Sequence, residues 1–443
     1  MLFKTSITYR KKTLLKLLIA IEKHEEEINQ ALYNDFKKPE FESYLTETYF
    51  VLSELKLTIK NINKWAKPKM VFPNLVNFPS TDFVYSEPYG KVLIIAPWNY
   101  PFHLALLPLV SAVAAGNQVV LKPSELTPAT SKLISKIVGE VFEKNHVKVV
   151  EGGISETEKL LAQRWDYIFF TGSVAVGKII AKAAAENLTP VTLELGGKNP
   201  CIIDETANLK LAAKRIVWGK FLNAGQTCIA PDYLLVHQKI KPQLIEYLKK
   251  EIALAYSGKI ENSEDYPRII NEKNWKRLLD LLEGEKILFG GKSNPTDFYI
   301  EPTLVDEPKL NSKIMEGEIF GPILPIISYN SEKEIEKVVY NYEKSLALYM
   351  FTNNKIFAKN SILKYSFGNG CINDTLIQFA NHRLPFGGVG HSGIGSYHGK
   401  KSFELFSHQK PIVKKATWLD ITLRYAPYNG KLKILKRLTN WFS

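Results

Sequence analysis

Short runs of apolar, β-type residues alternate with helical stretches through the middle of this chain, and that alternation limits the folds open to it more than any other feature. Residues 92–96, 119–121, 147–150 and 167–170 read as strands, with helices expected near 101–115 and 126–144. The strand-like runs are apolar on both sides instead of alternating, which marks strands buried on both faces of a parallel sheet covered by helices. A second series begins near Pro200, with strands expected at 201–204 and 233–237 and helices near 208–222 and 241–254. The fold class is therefore α/β. Upstream, residues 12–66 read as two helices around Asp35 to Pro39, after which Pro68, Pro73 and Pro79 break the pattern into a loop or edge hairpin at 70–90. A chain of 443 residues exceeds what one hydrophobic core supports, so more than one unit with a cleft between them is expected.

Hydrophobic residues at 45% and charged residues at 23% exclude a disordered, collagenous or coiled-coil chain. Three cysteines, Cys201, Cys228 and Cys371, are too few and too widely spaced for a disulfide framework or a C-x-x-C metal site. No metal is expected, and a reducing, cytoplasmic setting is the simpler reading. The formal charge is +13, and residues 411–443 carry seven basic residues against Asp420 alone, so +6 of it lies in the tail. No zinc-finger spacing, RNP-like motif or heptad basic region accompanies this surplus, and nucleic acid is not expected as a partner. In the tail Leu432, Leu435, Leu438 and Phe442 fall near one helical face, Trp441 flanks it, and Lys433, Lys436, Arg437 and Asn440 occupy much of the rest. Residues 419–443 thus read as a basic amphipathic tail that either packs on the protein or touches anionic lipid at the inner membrane surface. Lys16 interrupts the apolar stretch 14–21 and acidic residues follow it, which argues against an export signal, and no apolar run is long enough to span a bilayer.

Five short segments could carry chemistry. The strand at 167–170 runs into TGSVAVGK, placing Gly172, Ser173 and Gly177 where free backbone N–H groups at a helix start can meet a phosphate. The spacing departs from G-x-G-x-x-G, and a plain Gly-Ser helix cap would look the same. In LKPSE, Lys122 and Glu125 follow a buried-looking strand, where the pair can hold an adenosine ribose or form a solvated ion pair before a helix capped by Ser124 or Thr127. Cys228 follows a polar, Gly-containing turn and precedes Pro231, whereas Cys201 sits inside an apolar run and Cys371 lies between those cases. Cys228 is therefore the better nucleophile. Glu194 closes an apolar strand ahead of two glycines, where desolvation would raise a general base's pKa, or it is an exposed turn carboxylate. Asn99, beside Trp98 in PWNYP, offers an amide to an oxyanion or sits in a proline-bounded turn.

Taken in order, PWNYP, LKPSE, FTGSVAVGK, LELGGKNP, NAGQTCIAP, EIFGPILP and NDTLIQFANHRLPFGGVGHSGIGSYHGKKSFELFSHQK resemble the aldehyde dehydrogenase superfamily over nearly the whole chain. The last segment and the helical opening resemble class 3, the dimeric branch that includes fatty aldehyde dehydrogenases. The resemblance implies a Rossmann-type coenzyme domain (1–70 and 91–195), an α/β catalytic domain (196–407) and a bridging or oligomerisation element (71–90 and 408–418). It implies Cys228 as nucleophile, Glu194 as the base for the deacylating water, and Asn99 as an oxyanion donor beside the Cys228 N–H. It places Lys122 and Glu125 at the adenosine ribose, Gly172, Ser173 and Gly177 near the pyrophosphate, and Glu318 and Phe320 at the nicotinamide ribose and ring, with Trp98 also among the cofactor-binding residues. The cofactor is NAD or NADP, because Glu125 should repel a 2'-phosphate while members of this branch often accept both. His398 in SYHGK matches a feature of the branch and receives no role. The implied activity is oxidation of medium or long aliphatic, aromatic or terpenoid aldehydes to carboxylic acids by a homodimer, through a thiohemiacetal and a thioester. The alternatives are an acylating enzyme that releases a CoA thioester, which Glu194 argues against, and a silent structural or membrane-surface protein on the same fold. Intact Cys228, Glu194 and Asn99 disfavour the latter.

Overall fold

Leu14, Leu17 and Ile21, then Ile28 and Leu32, then Val51, Leu55 and Ile62 recur at helical spacing, and each set is fully buried. The computed structural model describes residues 5–257 and 259–442. In it these sets form α1 (Ile7–Lys23), α2 (Glu25–Phe36), α3 (Glu40–Ser43) and α4 (Tyr49–Trp65), with one π turn at Tyr44–Thr48. Two helices were expected here, and the first is divided at His24. The His24 ring is buried, with Nδ1 2.7 Å from Glu27 Oε1 and Nε2 3.1 Å from Glu140 Oε2, and these contacts hold its backbone out of the helical region.

After Pro68 the chain makes an antiparallel hairpin of β1 (Lys69–Val71) and β2 (Ser80–Pro88). The alternating region follows as β3 (Lys91–Ile95), α5 (His103–Ala115), β4 (Gln118–Lys122), α6 (Pro128–Val141), β5 (Val147–Val149), α7 (Ile154–Leu161), β6 (Tyr167–Thr171), α8 (Val174–Glu186) and β7 (Val191–Glu194). The strands form a parallel sheet in the order β7-β6-β3-β4-β5. Every residue of α5 is buried, as its apolar sequence HLALLPLVSAVAA requires of a helix with sheet on one side and helix on the other. α6 starts at Thr127, but its cap comes from elsewhere: Asp35, at the end of α2, accepts from the N–H groups of Ala129 and Thr130 at 3.0 and 2.9 Å. One carboxylate thereby ties the N-terminal helices to the sheet.

The second series contains β8 (Pro200–Ile203), α9 (Leu209–Phe221), β9 (Tyr233–His237), β10 (Ile287–Phe289), a short ribbon of β11 (Ser293–Asn294) and β12 (Tyr299–Ile300), β13 (Thr303–Asp306), β14 (Ile323–Tyr329), β15 (Ala347–Phe351) and β16 (Asn369–Ile372). Apart from the ribbon they form a sheet of order β10-β13-β14-β9-β8-β15-β16, parallel except at β10. Two late strands return to the first half. β17 (Gly393–Ile394) pairs antiparallel with β7, and β18 (Ser407–Lys415) pairs with the whole of β2, Ser407 opposite Pro88 and Lys415 opposite Ser80. Beyond it a helix forms over Lys431–Phe442, on which Leu432, Ile434 and Leu435 are exposed. The side chains of Leu438, Trp441 and Phe442 lie outside the described residues. Among the described residues no helix is long and apolar enough to cross a membrane.

In the first sheet β3 has β4 on one side and β6 on the other, so the loops leaving its carboxyl edge diverge there and open a crevice.

Candidate active site

Cys228 stands on a loop that propensity alone would not maintain. After α9, Asn223, Ala224 and Gly225 all take left-handed backbone angles, with φ of 56°, 51° and 73°. Glycine suits that region best and asparagine next, while alanine does not, and a Cβ on Gly225 would strike the Gly321 carbonyl. Surrounding side chains hold the other two. Glu42 accepts from the Asn223 N–H at 3.0 Å, and the Asn223 amide donates to the Asn99 carbonyl at 2.8 Å. Gln226 is bound at both ends of its amide, donating to the carbonyls of Asn223 and Arg268 and accepting from the Ile270 N–H. On the far side of the thiol, Asn199 Nδ2 donates to the carbonyls of Cys228 and Ala230 at 2.8 and 3.0 Å, and the Tyr349 hydroxyl donates to the Ile229 carbonyl at 2.7 Å. These buttresses were not among the expected site residues. Asn199 and Gln226 lie inside motifs already noted, but Glu42 has no local signal, being one acid among several in a helical segment.

The thiol opens into a cavity of about 270 Å³ whose walls include Phe50, Tyr100, His103, Trp218, Leu376, Phe379 and Phe386, with Glu194 and Thr171 also in its lining. Glu194 is 2% exposed, and among the described residues neither of its oxygens has a hydrogen-bond partner. Burial accordingly pushes its carboxyl well above the usual carboxylate range. Cys228 is half-buried, and its thiol is raised first by desolvation, then by the nearby Glu318 and Glu194 carboxyls. Cys201 is fully buried in β8 and Cys371 Sγ donates to Gln378 Oε1 at 2.8 Å, so neither competes as a free nucleophile.

The remaining expected residues lie along the carboxyl edge of the first sheet. Trp98 and Asn99 follow β3, Lys122 and Glu125 follow β4, Gly172 and Ser173 follow β6, and Glu194 ends β7. Asn99 is buried with Nδ2 donating to the Gln226 carbonyl at 3.0 Å, which sets its amide against the Cys228 loop with a second N–H to give. Lys122 is buried and donates to the Pro123 carbonyl at 2.9 Å, while Glu125 Oε2 lies 3.3 Å away and is 43% exposed. The pair is thus half solvated, not fully so. A Cβ on Gly172 would collide with the Phe170 ring and one on Gly177 with Leu195, so packing accounts for both glycines, and Ser173 caps α8 by accepting from the Val176 N–H. From the second half, Phe320 lies edge-on to Trp98 at 5.4 Å and the Glu318 carboxylate presses against Gly196. Burial raises Glu318 to about 8, with Asp232 adding to the effect.

Cys228 and Glu194 therefore line one cavity, with the Asn99 amide against the loop that carries Cys228, whereas Lys122 and Glu125 stand outside the cavity lining, two strands along the edge from β6. That row fits an extended dinucleotide: Glu125 and Lys122 can take ribose hydroxyls, the start of α8 can take phosphate, and Glu318 can take a second ribose. At its inner end remain the Thr171 hydroxyl and Glu194 carboxyl, which have no hydrogen-bond partner among the described residues. Among the described residues no group of three or more His, Cys, Asp or Glu is placed to hold a metal ion.

The aldehyde dehydrogenase family model matches residues 2–412. The 4,4'-diaponeurosporen-aldehyde dehydrogenase of Staphylococcus aureus (strain NCTC 8325 / PS 47) is 49% identical over 432 residues, covering 97% of this chain and 94% of that protein. The dimeric, NADP-preferring aldehyde dehydrogenase of Canis lupus familiaris is 42% identical over 428 residues, covering 96% of this chain and 94% of that one. Among solved structures, the substrate-bound state of Staphylococcus aureus AldH superposes with a TM-score of 0.96 at 48% identity, over 98% of this chain and 95% of that chain.

Proposed function

The chain belongs to the aldehyde dehydrogenase family, and on that premise we propose that it oxidises medium and long aliphatic aldehydes, with aromatic or terpenoid aldehydes of similar apolarity, to carboxylic acids using NAD or NADP. The observation that carries the substrate class is the apolar cavity ending on Cys228 and Glu194. The Staphylococcus aureus relative, whose name gives a 4,4'-diaponeurosporen-aldehyde as its substrate, supports the same class.

In this reading the Cys228 thiol gives its proton to solvent water and Sγ bonds the carbonyl carbon, sending the C=O electron pair to oxygen. Asn99 Nδ2 and the Cys228 backbone N–H are the donors for that oxyanion. A nicotinamide dinucleotide, when bound, supplies the acceptor for the aldehyde's hydride. Lys122 and Glu125 would hold its adenosine ribose, the turn of Gly172, Ser173 and Gly177 its pyrophosphate, and Trp98, Glu318 and Phe320 its nicotinamide end. Glu194 then takes a proton from water while the water oxygen attacks the Cys228 thioester, the C–S bond breaks, and the acid leaves. A carboxyl with both oxygens unbonded and a pKa raised by burial suits that task and favours hydrolysis over release of a CoA thioester.

Residues 1–70 with 91–195 would be the coenzyme domain, 196–407 the catalytic domain and 71–90 with 408–418 the bridging element; the location of each sheet supports this, although β17 crosses back to β7. The exposed strand β18 and the dimeric relative support a homodimer. The exposed apolar residues and four basic residues of the helix Lys431–Phe442 support reversible attachment to anionic lipid.

The test is NADH and NADPH formation with propanal, hexanal and decanal. Each buried methylene contributes about 0.8 kcal/mol, so kcat/KM should rise by up to roughly fourfold per methylene until the cavity is filled. A preference for propanal would overturn the substrate class.

A further inference from the structure

Residues 377–382 form a strap along the apolar cavity, and the fold fastens that strap at both ends. Ile377, Phe379 and Ala380 face the cavity. At the inner end Gln378 Nε2 donates to the Tyr349 hydroxyl at 2.9 Å and to Asn369 Oδ1 at 2.8 Å. The Tyr349 hydroxyl in turn donates to the carbonyl of Ile229, the residue after the nucleophile. At the outer end the His382 ring reaches α4, with Nε2 2.9 Å from Ser53 Oγ and Nδ1 3.1 Å from Glu54 Oε2. Between the two anchors the Phe379 ring stands edge-on to Phe50 and His103, each at 5.1 Å, and to His398 at 4.3 Å. Phe50 and His103 are themselves walls of the cavity.

Glu54 is the unusual member. It is fully buried, neither oxygen has a hydrogen-bond partner among the described residues, and the His382 imidazole is the group set against it. Burying a carboxylate with one neighbour is costly, and removing that neighbour leaves it uncompensated. α4 therefore favours the one position of the strap that brings His382 to Glu54, and that position sets how far Phe379 projects between Phe50 and His103.

We propose that His382, held by Glu54 and Ser53, is a positioning residue that sets the enzyme's preference for long aldehydes by fixing Phe379 in the cavity wall. The proposal rests on the aldehyde-oxidising reading of this cavity. The two anchors have separable consequences. The inner one bonds the nucleophile loop, so loosening it lowers turnover of every aldehyde. The outer one does not touch that loop, so loosening it costs contacts made only by a long alkyl chain.

The experiment compares kcat and KM for propanal and decanal in the wild type and in His382→Asn, Glu54→Gln and Tyr349→Phe, together with calorimetric binding of 1-octanol. His382→Asn and Glu54→Gln should lower the decanal-to-propanal ratio of kcat/KM about tenfold, the scale of one to two lost methylene contacts in this apolar pocket, mainly through KM for decanal. Both should weaken 1-octanol binding by a similar factor. Tyr349→Phe should lower both aldehydes together and keep the ratio. If either outer-anchor variant fails to fold, Ser53→Ala should move the ratio and the octanol affinity in the same direction by a smaller factor. Unchanged ratio and unchanged octanol affinity in the outer-anchor variants, or an equal fall of the ratio in Tyr349→Phe, would overturn the proposal. A wild type inactive on both aldehydes contradicts the functional reading instead, and the octanol comparison still decides the anchor.

Discussion

The Cys228 thiol lies in a poorly solvated corner, and the Glu318 and Glu194 carboxyls add to the burial that raises its proton affinity. Burial is the largest cause of the elevated Cys228 pKa, and Glu318 is the next. Removing that negative charge favours the thiolate, so Glu318→Gln should move the pH midpoint for alkylation of Cys228 by iodoacetamide to lower pH. The direction follows because a neutral neighbour no longer opposes ionisation, while the desolvation remains. The reaction needs no cofactor, so the separate role proposed for Glu318 does not enter, and a Cys228→Ser control subtracts labelling of Cys371. A midpoint that stays in place or rises would show that Glu318 does not act on the thiol. At this scale the sequence is informative about groups held in contiguous motifs: Cys228, Glu194 and Asn99 could be singled out because each follows a strand or a Gly-containing turn. It is uninformative about partners that reach the site across space. Glu42 and Tyr349 look like ordinary helix and strand residues until the fold turns them towards the nucleophile loop.

Elements in this protein are joined by buried charges as much as by apolar faces. Glu47 lies in the π turn before α4, fully buried, with Oε1 2.8 Å from Lys38 Nζ and Oε2 accepting from the N–H groups of Phe102 and His103 at the start of α5. Burial lowers the Lys38 pKa and raises that of Glu47, and each charge partly offsets the effect on the other. Breaking such a pair leaves one charge uncompensated, so Glu47→Ala should destabilise the protein by roughly 3–5 kcal/mol in urea unfolding. A loss below about 1 kcal/mol would mean that α5 does not depend on this cap. The strands from β3 to β9 are legible because they are mostly apolar runs bounded by polar turns, even where Lys148 interrupts β5. The break at His24 and the π turn are not, since the first depends on Glu140, far away in sequence, and the second carries no composition signal. Gly172 and Gly177 were ambiguous for a related reason: a glycine required by a Phe170 ring and one required by a phosphate leave the same letter.

On the scale of the whole molecule, the chain's last third stitches its halves together. β17 completes the edge at Glu194 and β18 completes the sheet of β1 and β2, after which the basic tail departs. Beyond β18 five basic residues stand against Asp420 alone, +4 of the +13 net charge, and the tail's helix keeps Leu432, Ile434 and Leu435 exposed. Each basic residue near an anionic surface contributes about 1 kcal/mol, a contribution that salt screens. Cosedimentation with phosphatidylserine-containing liposomes should therefore be strong at low salt, weaker at high salt, and lost in a chain ending at Tyr428. Equal binding by the full and shortened chains, or none by either, would leave the tail as a packing element.

In the proposed chemistry one cysteine carries the acyl group and one buried carboxylate releases it. Rapid-mixing measurement of NADH with Glu194→Gln and decanal tests this most directly. A burst of one NADH per Cys228 is expected, followed by turnover slower than wild type by roughly 10²- to 10⁴-fold. Loss of the burst itself, with hydrolysis of a preformed thioester intact, would contradict it.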